Sequence, residues 1–244
     1  PTKKSTIDVQ TGLGRLRCNL GSDGVIEALG VPFAQPASGR NRFRPPQPRS
    51  ADENSVIDAT KFGPACLQPT SHAAQVRHMS EDCLSLNIWA PTGETPRPVF
   101  LWIHGGGFMS GSGRDYNLSR MAQQGIITVS INYRLGGFGF LTLDEIRKEN
   151  PDSPTNGGVN GLLDQVEALK WVKKNIGAFG GDPNKITIAG ESAGSLSVCI
   201  HLHMPISEGL FSRAILESGS CIGPWQDFAT AAAATKISRT AMEA

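Results

Sequence analysis

The chain has 244 residues, of which 39% are apolar and 18% charged, and its formal net charge is +1. This composition predicts a globular protein with a sizeable core, and the near-zero charge argues against nucleic acid or another polyanion as partner. No apolar stretch approaches the span of about eighteen residues that crosses a bilayer. The first residues lack the apolar segment of a signal peptide, so any such peptide would already have been removed.

The N-terminal part of the chain predicts strands and loops. Residues 7–17 are predicted to form an antiparallel hairpin, and residues 25–30 a following strand. A basic run that prolines interrupt comes next, and a solvated loop is favoured over a nucleic-acid patch for it. Its members are Arg40, Arg42, Arg44 and Arg49.

A buried strand is predicted at residues 99–103, directly before His104 and three consecutive glycines. A serine that attacks an ester creates a tetrahedral oxyanion, which needs preorganised donors. Glycine N–H groups are not obstructed by side chains, so Gly106 and Gly107 are candidate oxyanion donors. The alternatives are a flexible loop and a phosphate-binding loop. The segment lacks both the G-K-[ST] ending and the G-x-G-x-x-G pattern of the latter.

Strands and helices alternate in the second half of the chain. Residues 126–131 and 214–216 predict short buried strands, and residues 162–176 predict a helix with an apolar stripe that Gly177 caps. Alternation of this kind predicts an α/β fold with a mostly parallel sheet.

Residues 186–195 combine a β-branched strand, a serine flanked by glycines and the start of a helix. Ser192 is the centre of a G-x-S-x-G pattern, in which a sharp turn exposes the serine hydroxyl and the glycines let strand and helix approach closely. The helix is predicted to continue to His203 before Pro205. Ser192 is therefore a candidate nucleophile, with the N–H of Ala193 as a third oxyanion donor. A Gly/Ser turn without chemistry is the alternative.

Eight ordered motifs together resemble those of the type-B carboxylesterases, the family of cholinesterases, mammalian carboxylesterases and related fungal lipases. They occupy residues 30–34, 42–46, 81–89, 104–108, 132–134 with 139–141, 161–165, 179–183 and 190–194. The resemblance implies an α/β-hydrolase fold with a mostly parallel central sheet flanked by helices and an N-terminal antiparallel hairpin. Because family members are about twice as long, it also implies that residues 1–244 are the N-terminal part of a single catalytic domain.

The resemblance assigns roles around the serine. Ser192 is the nucleophile and Glu191 a supporting carboxylate beside it, while the oxyanion donors are Gly106, Gly107 and Ala193. Trp225 lies where the family lines its acyl pocket, and plain core packing is the alternative for this side chain.

The resemblance also implies structural pairs away from the serine. Cys66 and Cys83 form a disulfide that closes a loop over the active-site gorge; two reduced cysteines are the alternative, because spacing alone cannot prove a bond. Arg42 and Glu81 form a buried structural ion pair near that loop.

The remaining cysteines, Cys18, Cys199 and Cys221, have no evident partner in the sequence. Cys199 is interpreted as a small buried apolar residue.

Substrate and location are indicated by two further features. Cholinesterases carry a tryptophan in the disulfide loop that holds choline's quaternary ammonium, whereas residues 67–82 contain no aromatic side chain, which disfavours a choline ester. Asn117 begins an N-glycosylation sequon that ends at Ser119. The sequon and the expected disulfide favour a secreted or extracellular protein over a cytoplasmic one.

A catalytic base is not evident within the sequence. In this fold the acid and histidine follow the serine, but His201 and His203 lie on the helix that starts there. At about 1.5 Å per residue, His201 sits roughly 13 Å from Ser192. His104 is the alternative base, although chain order opposes it. Residues 227–244 predict a helix, with Asp227 as N-cap, that has no stop signal. We therefore expect the base to come from a C-terminal half, either missing or separately cleaved.

The leading hypothesis is a serine hydrolase that cleaves carboxylic esters through an acyl-enzyme and needs no metal or cofactor. Its substrate is a small-molecule or lipid ester, and its partner is the C-terminal half of the same protein. A non-catalytic adhesion or recognition member of the family and an inactive fragment are the alternatives.

Overall fold

The computed structural model describes residues 5–52, 54–69, 78–93, 96–149, 157–222 and 231–243. The strands of this part, β1 to β11 in chain order, are Ser5–Thr11, Gly14–Leu20, Val25–Pro32, Val56–Ala59, Ala65–Cys66, Met79–Ser80, Ser85–Pro91, Arg97–Ile103, Ile127–Ile131, Gly181–Glu191 and Arg213–Glu217. The helices α1 to α6 are Ser119–Ala122, Gly136–Phe140, Asp144–Glu149, Asn160–Asn175, Ala193–His203 and Ala231–Glu243. None of the described helices has the length and apolarity needed to cross a membrane.

The main sheet has the strand order β1-β2-β3-β7-β9-β8-β10-β11, with β4 beside β2. Strands β1, β2, β3, β7 and β9 pair antiparallel in succession. The pairs β9–β8, β8–β10 and β10–β11 are parallel. The expected parallel central sheet and N-terminal hairpin are therefore confirmed, and the antiparallel part continues from the hairpin through β3 and β7.

Burial explains why the central strands form. All five residues of β9 and six of the seven in β7 are buried, as expected for strands with both faces covered. Helix α5 packs on β8, β10 and β11, and α4 packs on β10. One continuous apolar core joins the sheet to these helices, so the strand ends that carry the candidate site rest on rigid elements.

Two details of the predicted elements are wrong. Helix α4 does not end at Gly177: the chain tightens into a 3-10 turn over Ile176–Phe179, and Gly180 ends it in the left-handed region at φ 81°, where glycine has no Cβ penalty. The second detail concerns β11, which the sequence predicts to be buried. In the structure, Arg213, Ile215 and Glu217 of this strand are exposed. It is an edge strand, with β10 as its only pairing partner among the described residues.

Two disulfides connect distant segments. Cys66 bonds to Cys83, with Cα atoms 5.0 Å apart. Cys199 bonds to Cys221, with Cα atoms 5.4 Å apart, so the expectation that these two cysteines lack partners is wrong. Cys18 is free and buried, and burial above all raises the pKa of its thiol to about 12.

Helix α6 is anchored to the segment around α3. Ser238 accepts a hydrogen bond on its Oγ from the N–H of Thr142 at 3.1 Å, and Arg239 pairs with Glu145 at 2.8 Å. The predicted helix over residues 227–244 is thus present as Ala231–Glu243, while Asp227 lies outside the described residues.

Candidate active site

Ser192 stands at a strained turn between β10 and α5. Its backbone has φ 54° and ψ −119°, a combination that costs energy for a residue with a side chain and that clusters at functional sites. The N–H of Ser192 donates to the carbonyl of Glu217 in β11 at 2.9 Å, which holds the turn. In the described part of the chain, no group hydrogen-bonds the Ser192 hydroxyl, and the residue is partly exposed. The hydroxyl is therefore not held by another group of this part of the chain.

The flanking glycines are required by close backbone contacts. A Cβ on Gly190 would overlap the backbone of Gly194, and a Cβ on Gly194 would overlap the carbonyl oxygen of Ile103 at the end of β8. The strand and helix thus meet without room for a side chain, as the sequence pattern predicts.

The glycine loop after β8 passes directly beside the serine. A Cβ on Gly105 would lie 2.7 Å from the carbonyl oxygen of Glu191 and 3.3 Å from the Cβ of Ser192. Gly106 and Gly107 follow with φ values of 106° and 62°, a region that favours glycine. Both residues are exposed, so the loop lines open space next to Ser192.

The three backbone N–H groups that the sequence predicts as oxyanion donors have no hydrogen-bond acceptor among the described residues. The amides of Gly106 and Gly107 donate no hydrogen bond within the part of the chain that the structure describes. Ala193 is the first residue of α5, so its N–H has no acceptor inside the helix. The positive end of the α5 dipole also favours negative charge at this position.

Glu191 lies between the glycine loop and Tyr116. A Cβ on Gly105 would lie 2.9 Å from its Oε2. Burial raises the pKa of the Tyr116 phenol, and the Glu191 carboxylate raises it further. The Tyr116 ring packs on Trp102 of β8, with centroids 5.3 Å apart. Sequence reasoning missed Tyr116, because no motif connects this loop residue to the turn at Ser192.

His104 supports the glycine loop and does not contact the serine hydroxyl. Its ring is buried and stacks on Tyr133, with centroids 4.4 Å apart. Nδ1 donates to the carbonyl of Gly105 at 2.8 Å, and the Tyr133 hydroxyl donates to the His104 carbonyl at 2.8 Å. Burial lowers the pKa of His104 to about 4. These contacts oppose the alternative in which His104 is the base.

The histidines of α5 also have other partners. His201 is buried and bonds through Nδ1 to Ser207 and through Nε2 to Gln165, both at 2.9 Å. Burial lowers its pKa to about 4. Nδ1 of His203 donates to the carbonyl of Cys199 at 3.0 Å. Trp225, the candidate acyl-pocket residue, lies outside the described residues.

The ion pair of Arg42 and Glu81 is present, but it is not buried. Two hydrogen bonds of 2.5 and 2.6 Å join the side chains, which are 43% and 20% exposed. The prediction of a buried pair is wrong at this position because these loop residues lie at the surface.

The buried ion pair is formed by Arg134 and Asp164, whose side chains are 4% and 0% exposed. The guanidinium makes two bonds to the carboxylate, at 2.8 and 2.6 Å, and a third to the carbonyl of Arg44 at 2.7 Å. Both residues lie in motifs that carry the family resemblance, but the sequence did not indicate that they pair.

The sequon asparagine lies on the surface. Asn117 is exposed, and its Oδ1 accepts a hydrogen bond from the N–H of Ser119 at 3.0 Å. The side-chain nitrogen, where a glycan would be attached, is on an exposed turn.

A family model described as the carboxylesterase family matches residues 5–242. The chain belongs to this family. The motif-based resemblance is therefore confirmed over nearly the whole of the chain.

Individual relatives agree with this assignment. The chain is 45% identical over 208 residues to para-nitrobenzyl esterase of Bacillus subtilis, an alignment that covers 81% of this chain and 41% of that protein. It is 46% identical over 219 residues to acetylcholinesterase of Electrophorus electricus, covering 83% of this chain and 33% of that protein.

Solved carboxylesterase structures match the fold. A carboxylesterase of Geobacillus stearothermophilus superposes with a TM-score of 0.78 at 46% identity, covering 87% of this chain and 43% of that one. A para-nitrobenzyl esterase superposes with a TM-score of 0.86 at 39% identity, covering 98% of this chain and 48% of that one. The α/β-hydrolase fold is therefore established, and the carboxylesterase-family chain spans less than half the length of these relatives.

Proposed function

We propose that this chain is the N-terminal part of a serine carboxylesterase in which Ser192 is the nucleophile. The observation that carries the proposal is the strained Ser192 beside the glycine loop, with no hydrogen-bond partner among the described residues for its hydroxyl or for the N–H groups of Gly106 and Gly107. This is the arrangement that acyl transfer through a tetrahedral intermediate needs.

In the proposed reaction, the Ser192 oxygen attacks the ester carbonyl carbon and its proton passes to a general base. The N–H groups of Gly106, Gly107 and Ala193 stabilise the oxyanion. Collapse of the intermediate breaks the bond to the alcohol, which leaves with that proton. Water then attacks the acyl-enzyme in the same way and releases the acid. The reaction needs no metal or cofactor.

The base and its orienting acid belong to the C-terminal half of the protein in this proposal. The histidines of α5 bond to groups other than Ser192, and the His104 ring donates a hydrogen bond to the Gly105 carbonyl. The relatives that the chain matches are more than twice as long. In their fold the acid and histidine follow the nucleophile.

The proposed substrate is a small-molecule or lipid carboxylic ester other than a choline ester. Residues 67–82 offer no aromatic face for a quaternary ammonium. The two disulfides and the exposed sequon at Asn117 support a secreted glycoprotein.

The test uses the intact protein, including any chain beyond residue 244, with a fluorophosphonate probe and a para-nitrophenyl ester. We expect the wild type to hydrolyse the ester and to carry one label on Ser192. The Ser192→Ala variant should lose at least about 10³-fold in kcat and all labelling, because the reacting oxygen is gone.

Ser195→Ala is the matched control. The Ser195 hydroxyl lies one turn into α5 but donates to the carbonyl of Gly219 at 2.7 Å, so its removal should leave labelling in place. Labelling that persists in Ser192→Ala would contradict the proposal. An unlabelled wild type would favour a recognition protein of the same family instead.

A further inference from the structure

A second group of chemically versatile side chains lies near the C-terminal end of α5. Cys199 and His203 are one turn apart on α5, so they share a face. Cys221 approaches from the segment after β11 and bonds to Cys199. The two sulfurs and one ring nitrogen of His203 all lie within 4.8 Å of one another.

The histidine ring is held in a form that suits a metal ligand. Nδ1 of His203 is 3.0 Å from the carbonyl oxygen of Cys199, and because a carbonyl only accepts, Nδ1 must carry the proton. The lone pair is then on Nε2. Metal-binding histidines in proteins show this same bond from the second ring nitrogen, often to a backbone carbonyl, which fixes the tautomer and the ring orientation.

The surroundings provide access and a favourable field. The three residues line an open cavity of about 500 Å³ together with Ile200, Met204 and Pro205. They lie at the C-terminal end of α5, where the helix dipole favours a cation.

We propose that Cys199, His203 and Cys221 form a zinc site when the disulfide between the cysteines is reduced. Two thiolates and one imidazole are a ligand set that Zn²⁺ accepts in tetrahedral sites, with water in the fourth position. A dithiol reductant gives two electrons and two protons to the disulfide, leaving two cysteine thiols and an oxidised reductant. Zn²⁺ then displaces the two thiol protons into solvent.

The disulfide and the zinc site are two alternative links between the same two segments of the chain. Both connect the segment after β11 to α5, close to the hydrogen bond that the Ser195 hydroxyl donates to the Gly219 carbonyl at 2.7 Å. The chain can therefore keep this connection in oxidising and in reducing surroundings. The zinc takes no part in ester hydrolysis in this proposal.

The test measures zinc on the intact protein before and after reduction by dithiothreitol, with the reductant removed anaerobically. The comparison protein is the Cys199→Ser/Cys221→Ser variant, which retains the Cys66–Cys83 pair. We expect reduced wild type to bind one more Zn²⁺ per chain than this variant and oxidised wild type to bind none at the site. With Co²⁺ in place of zinc, reduced wild type should show sulfur-to-cobalt charge-transfer absorption.

Single variants separate the histidine ligand from surface binding. His203 is exposed, so His203→Gln leaves packing intact and should weaken zinc binding at least about tenfold. The control His78→Gln changes another exposed histidine and should bind zinc as the wild type does. Equal zinc uptake by reduced wild type and the double serine variant, or unchanged affinity in His203→Gln, would overturn the proposal. These readouts do not depend on Ser192 being a nucleophile.

Discussion

His104 and His201 are neutral in the folded protein because burial penalises their charged forms. Each hydrogen-bonds through its ring, His104 to the glycine loop and His201 to Gln165 and Ser207. In the unfolded chain both rings would titrate near their usual pKa of about 6.5. Protonation therefore favours the unfolded state at acid pH.

We expect stability to fall as the pH is lowered from about 6.5 towards the folded-state pKa of about 4. Above about pH 6.5 both states are neutral and these histidines add no pH dependence. Below it, each histidine lowers the free energy of unfolding by about 1.4 kcal/mol per pH unit. Urea unfolding between about pH 7.5 and pH 5 measures this slope. His201→Gln should reduce the slope, and an unchanged slope in this variant would contradict the assignment.

At the level of elements, an ion pair joins Asp164 of α4 to Arg134 in the segment after β9. The carboxylate accepts from the Arg134 backbone N–H at 3.0 Å as well as from the guanidinium. Since the pair is buried, removal of one partner leaves an uncompensated charge in a low-dielectric environment.

Asp164→Asn should therefore lower the free energy of unfolding by about 3–5 kcal/mol, measured by urea denaturation. Glu81→Gln is the matched control, because it neutralises one partner of the exposed pair with Arg42. Surface pairs are screened by water, so the control should leave the unfolding midpoint nearly unchanged. Similar losses of unfolding free energy in both variants would contradict the expectation that the buried pair contributes more to stability than the exposed one.

Elements with a strong local signal were predictable from the sequence. The turn at Ser192 needs glycines at fixed positions and a strand and helix on either side, and all of these are adjacent in the chain. The strands around it are short apolar runs rich in β-branched residues, which their length and composition identify as strands.

Contacts between distant segments were not predictable in this way. Cys199 and Cys221 meet only because β11 brings residue 221 back to α5, and an apolar helix pattern explains Cys199 equally well. Arg134 and Asp164 are 30 residues apart, so no local pattern connects them. The exposure of β11 depends on which strands lie beside it, which its own five residues cannot indicate.

On the scale of the whole molecule, four of the nine large apolar side chains that are exposed among the described residues lie in residues 202–222. They are Leu202, Ile206, Ile215 and Ile222. Ile215 belongs to β11, whose outer edge has no pairing partner in the described ranges. An edge strand with unpaired backbone groups and apolar neighbours is prone to associate with other chains.

We expect the 244-residue chain produced alone to self-associate through this edge and Ile215→Lys to reduce that association, because a charge on an edge strand opposes pairing. Sedimentation velocity measures the distribution of species. Val56→Lys is the control, since Val56 on β4 is also 43% exposed but lies far along the sheet order from β11. A monomeric wild type, or equal effects of the two lysines, would contradict this expectation.

The hydrogen bond from the Ser192 N–H to the Glu217 carbonyl joins the turn at Ser192 to the edge strand β11. Loss of register at that strand would release the amide and let the serine backbone relax from its strained conformation. If Ser192 is the nucleophile as proposed, the rate at which a fluorophosphonate labels it will therefore depend on whether β11 is paired in register with β10.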